Sequence, residues 1–134
     1  MKFSTKTGWR NRVLLQKEQN QNQIKIKDYK KGQLNVSGKL YDTPILLTPS
    51  ALCTFDEVKL FADLTAEMLF PLIPKGTEII VIGCGEKHQF LPQSEIKQIN
   101  DLGVAIEVMG TRQACHTFQV LTYEYRKVIA LLFP

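Results

Sequence analysis

The chain has 134 residues, 44% of them hydrophobic and 22% charged, and its 17 Lys and Arg against 13 Asp and Glu leave a net charge of +4. A chain of this length with this apolar share builds one domain with a core that needs no metal or disulfide staple. Its densest apolar stretches, residues 68–73, 79–82 and 128–133, fall far short of the roughly 20 residues that cross a bilayer, so a membrane-spanning helix is excluded, as are a repeat array and a disulfide scaffold.

The charge is unevenly placed. Residues 1–31 hold nine Lys and Arg against Glu18 and Asp28, whereas residues 32–134 hold eight against eleven acids. A basic leading segment on a mildly acidic body, with no aromatic platform interleaved, argues against specific nucleic-acid binding. Residues 16–23 are a Gln- and Asn-rich run without apolar periodicity, so residues 1–22 are expected to form a basic, polar extension that adds little to stability. Residues 23–134 are expected to form a single α/β domain. The apolar triplet at residues 13–15 is too short for a secretory signal, which points to the cytoplasm. The acid-free, Ser- and Thr-containing first 17 residues leave a mitochondrial presequence as the alternative for a eukaryotic chain.

From Gln23 the apolar positions alternate: Ile24 and Ile26, then Leu34 and Val36 after Lys31-Gly32, then Leu40 onward after Ser37-Gly38. Period-2 patterning broken by glycine turns predicts an antiparallel meander. Its third strand is expected to run into Ile45-Leu46-Leu47-Thr48, too apolar to face water on either side, and to stop at Pro49. Thr54-Phe55-Asp56-Glu57 fits a capping box before a short helix through Val58, Phe61, Ala62 and Leu64. Thr65 then opens a second helix, ended by Pro71 and Pro74.

Residues 78–82 are a β-branched run suited to a strand buried on both faces. Pro92 suits a helix's first turn, with Ile96, Ile99 and Leu102 as its apolar stripe and Gly103 as its stop. Residues 104–109 form the next strand, so 78–109 predicts a βαβ unit with parallel strands. A helix follows from Gly110-Thr111 with Ala114, Phe118, Leu121 and Tyr125 at helical spacing, and residues 128–133 close the chain as a strand.

Two turns leave the carboxyl ends of the parallel strands, where ligands settle in open α/β sheets. They gather the candidate cleft: Gly83, Cys84, Gly85 and His88 after the first strand, and Thr111, Arg112, Cys115 and His116 after the second. Thr111 as N-cap with Arg112 in the first turn suits a small anion. The competing reading gives the glycines to a tight turn and Arg112 to a carboxylate, and is favoured because helix starts far outnumber occupied anion sites. Glu107, mid-strand, is expected to pair with Arg112 or Arg126. Gly83-Cys84-Gly85 lacks the third glycine and the helix of a dinucleotide fingerprint, so no such cofactor is expected. Cys53, Cys84 and Cys115 show no paired spacing and are expected as reduced thiols. Cys115 and His116 are adjacent on a helix and point about 100° apart, which rules out a dyad between them. No metal is expected, since no pair shows zinc-site spacing.

The C-terminal half carries a further signal. Ile79-Ile80-Val81-Ile82-Gly83-Cys84-Gly85, Phe90-Leu91-Pro92, Gly103-Val104-Ala105-Ile106-Glu107-Val108-Met109, Thr111-Arg112-Gln113-Ala114-Cys115 and Leu121-Thr122-Tyr123-Glu124-Tyr125-Arg126 are each weak alone. In this order and spacing they resemble the small α/β domain family of the mitochondrial complex I assembly factor 3 and its uncharacterised bacterial and archaeal relatives. The likeness spans about residues 23–134 and is strongest from 78 onward. This chain departs from the family pattern at Cys84 (usually Thr), Gly110 (usually an acid or amide), His116 (often Arg) and Phe118-Gln119 (for Tyr-Asn), which weakens any catalytic role for these loops. The resemblance implies a single three-layer α/β domain with a mixed central sheet and no established enzyme activity. A non-enzymatic, assembly-factor-like domain is therefore expected, with a protein partner and a second copy of the chain among the candidates. The alternative is a small-anion-binding protein or enzyme using loops 83–88 and 110–116.

Overall fold

The computed structural model describes residues 24–134, and the expectation for residues 1–22 lies outside them. Three strands, β1 (Ile26–Lys30), β2 (Gln33–Val36) and β3 (Lys39–Tyr41), form an antiparallel sheet in sequence order. The β2–β3 turn is two residues, Ser37 and Gly38, at φ 53° and 90°. Two left-handed residues in succession match the twist of a hairpin, and glycine takes the second without a Cβ penalty.

The second sheet has five strands in the order β5-β4-β8-β6-β7, with β4 at Ile45–Leu47, β5 at Leu52–Thr54, β6 at Ile79–Gly83, β7 at Ala105–Met109 and β8 at Val128–Leu132. β8 pairs antiparallel with β4 and parallel with β6, which pairs parallel with β7. The sheet is therefore mixed. Between β6 and β7 lies α2 (Gln93–Asn100), completing the expected βαβ unit; α1 is Ala66–Leu69 and α3 is Thr111–Tyr123.

Strand alternation sends β8 into two cores. Ile129 and Leu131 join Ile80, Ile82, Phe55, Phe61, Leu69 and Ile99 under the short helices. Val128, Ala130 and Leu132 join Val81, Phe118 of α3 and Leu34, Val36 and Tyr41 of the meander. The three layers are the short helices, the mixed sheet, and α3 with the meander. Each fully buried Leu or Ile contributes about 1.5–3 kcal/mol of transfer free energy, which is why apolar runs with no polar face occupy the middle of the sheet.

Several expectations are corrected. The third strand does not continue into Ile45: Pro44 lies between β3 and β4, and β4 belongs to the other sheet. Thr54 is not an N-cap but the last residue of β5, which pairs with β4 around the Pro49-Ser50 turn. The helix expected after it is one 3-10 turn, Phe61–Asp63. Thr65 does cap α1, accepting from the Met68 amide at 3.4 Å, and Glu95 of α2 accepts from the Ala66 amide at 2.6 Å. Pro92 stands just before α2 rather than within it. Leu102 and Tyr125 lie outside their helices and are exposed, so neither belongs to an apolar stripe.

Candidate functional site

The ends of β6, β7 and β8 meet the start of α3 in one hydrogen-bonded knot. Thr111 is the first residue of α3, wholly buried, and not its N-cap, a place taken by Gly110 without a side-chain bond. The Thr111 amide donates to the Gly85 carbonyl at 2.8 Å. Its hydroxyl accepts from the Gly85 amide at 2.7 Å and donates to the Phe133 carbonyl at 2.6 Å. The Phe133 amide returns to the Gly83 carbonyl at 2.9 Å, and Cys84 donates to Met109 at 2.8 Å. Gly83 is required by space: a Cβ there would lie 2.8 Å from the Thr111 Cα and 3.1 Å from the Ala114 Cβ. The two loops thus touch, and the contact consumes the hydroxyl an anion would need.

The remaining candidates separate. The Cys84 sulfur is buried, accepting from the Gln89 amide at 3.3 Å and lying 3.5 Å from the Lys87 carbonyl that it faces as donor. Cys115 is buried on α3, and burial pushes its thiol up to about 12, outweighing the nearby Arg112. It is a protonated thiol at neutral pH, not a nucleophile. His88 is exposed and meets the Phe90 ring edge-on at 4.6 Å, while His116 lines a groove with Gln119, Val120 and Tyr123 of α3. Arg112 is exposed, its guanidinium 5.4 Å from the centre of the Tyr29 ring. Glu107 is exposed on the edge strand β7 and has no ion pair among the described residues; Arg126 pairs with Glu78 at 2.8 Å instead. The expected Arg112–Glu107 or Arg126–Glu107 pair is therefore corrected, because an edge strand lets its carboxylate reach water. The described residues hold no group of three His, Cys, Asp or Glu placed for a metal ion.

Tyr29 was missed in the sequence. Its side chain is buried beside Arg112, Glu86, Cys115 and Cys84, and its hydroxyl has no hydrogen-bond partner among the described residues. Burial raises its phenol above the ordinary value, Glu86 adds to that, and Arg112 opposes it. A β-bulge between Ile26 and Asp28 shifts the buried positions from even to odd, which brings Tyr29 to the face that Ile24 and Ile26 begin. Nothing in the local sequence marks that bulge.

What fold and edge define together is a small three-layer α/β domain whose loops are closed by structural bonds. The chain belongs to the family described as a protein of unknown function (DUF498/DUF598), whose model matches residues 26–133. It is 29% identical over 121 residues to a 13 kDa major membrane protein of Francisella tularensis, covering 90% of this chain and 98% of that one. It is also 29% identical over 123 residues to the NADH dehydrogenase [ubiquinone] 1 alpha subcomplex assembly factor 3 of Danio rerio, covering 90% and 70%. A solution structure of a Bordetella pertussis protein described as an Mth938-like domain superposes with a TM-score of 0.73 at 20% identity, covering 90% and 92%.

Proposed function

We propose that this chain is a non-enzymatic protein-interaction domain of the assembly-factor kind. The observation that carries this reading is a set of exposed aromatics: Phe90, in the loop after β6, is 82% exposed, and Tyr123, in the last turn of α3, is 81% exposed with Val120 and Tyr125 beside it along the helix or in sequence. Exposed aromatics are the usual anchors of protein interfaces, while the thiols and the Thr111 hydroxyl are buried. The likeness to an assembly factor supports the same reading. Three free, buried cysteines suit a reducing compartment, which favours the cytoplasm, and no helix among the described residues is long and apolar enough to cross a membrane. Of the rival small-anion reading, the exposed Arg112, Lys87 and His88 side chains are left at the paired loops, without the Thr111 hydroxyl.

The test is affinity capture from native cells with the full chain and its Phe90→Ala form, read by mass spectrometry. A partner enriched by the first and lost with the second supports the proposal. No enriched protein from either, with a small acid retained by the purified chain, overturns it.

A further inference from the structure

We propose that the groove along the last turns of α3 receives a Lys or Arg side chain from a basic segment of a partner protein, an inference that rests on the protein-interaction reading above. The groove has a volume of about 420 Å³, and its walls include His116, Gln119, Val120, Tyr123 and Glu124. Three independent features give it a preference for a cation. The carboxyl end of a helix carries a partial negative charge, and α3 has no basic residue in its last turn. Glu124 sits at that end as the C-cap and has no ion pair among the described residues, since Arg126 is held by Glu78. The Tyr123 ring, almost fully exposed, offers an aromatic face next to the carboxylate.

The floor fits the rest of such a side chain. Val120, 41% exposed, presents apolar surface above the buried Ile24 on which methylenes pack while the charged head stays at the rim. Thr122, 5% exposed, also lines the groove, and its buried hydroxyl has no hydrogen-bond partner among the described residues. Residues 24–134 hold twelve Lys and Arg against twelve acids, so the preference for a cation is local to this groove and not a pull of the body's net charge.

The test is a titration of the isotope-labelled full chain with the capped peptide Gly-Leu-Arg-Leu-Lys-Gly and with its counterpart carrying Gln in place of Arg and Lys. The basic peptide is expected to move the amide signals of Val120, Tyr123 and Glu124, with affinity falling several-fold as salt screens the pair. Glu124→Lys should weaken binding at least about tenfold and Tyr123→Ala about threefold, both with an unchanged fold by the same spectra. An equal response to the neutral peptide, a response elsewhere, or none overturns the proposal. So does a change in emission of Trp9, the sole tryptophan, on Glu124→Lys without peptide, since the chain's own basic segment would then be the occupant. Failure here leaves the Phe90-dependent capture unaffected, so the two readings fall separately.

Discussion

The two ends of α3 are built on opposite principles. At its start the buried polar groups of Thr111 are tied, bonding Gly85 twice and Phe133 once, and Gly83 leaves no room for a methyl. At its finish Tyr123 and Tyr125 stand in solvent, Glu124 is without an ion pair among the described residues, and Tyr125 holds φ 60° with a side chain in place of the usual glycine. Closed polar networks fix one structure, whereas exposed aromatics beside an unpaired charge are kept at the expense of local stability. The start of the helix is therefore assigned to the fold and its finish to contact.

That contrast predicts a graded set of effects. Thr111→Val keeps the shape and removes the hydroxyl, leaving the Gly85 amide and Phe133 carbonyl without that partner. The expected loss is about 2–4 kcal/mol in denaturant unfolding, and a loss below about 0.5 kcal/mol breaks the closed-end assignment. Cys115 gives the next effect. Its thiol is raised in the folded chain, so the stability it contributes is whole below the ordinary thiol value near 9 and is lost as pH rises towards about 12. Cys115→Ala should flatten the alkaline fall in melting temperature over that window. Native chain should likewise resist iodoacetamide at pH 8, and rapid labelling of Cys115 contradicts its burial.

At the open end the expected sign reverses. Tyr125→Gly relieves the left-handed backbone and loses little packing, so stability should rise by about 0.5–1 kcal/mol. A fall would show that the Tyr125 ring packs somewhere in the fold. Smallest of all is Arg112→Ala. With no carboxylate partner and only a ring contact with Tyr29, it should cost about 1 kcal/mol or less. A loss of 3 kcal/mol would restore a buried ion pair at that position.

By itself the sequence determined the elements with strong local causes. Residues 78–109 read as strand, helix and strand because a β-branched run, an amphipathic stripe, the Pro92 start and the Gly103 stop all agree, and the five residues of β6 pair in parallel with β7 as expected. Leu46 and its neighbours read as buried on both faces because no polar side chain breaks the run. The βαβ rule put the Gly83 and Thr111 loops at the same edge of the sheet, but neither their contact nor its use was legible. Only tertiary structure decided that Thr111 turns inward, since its partner carbonyl belongs to Phe133, 22 residues away. The same holds for β4, which leaves the meander because β8 offers it a pairing edge. Tyr29 joins α3 only because a bulge reverses the strand's parity. Periodicity records which residues want burial; which neighbour buries them is settled by contacts between segments far apart in the chain, and these leave no local pattern.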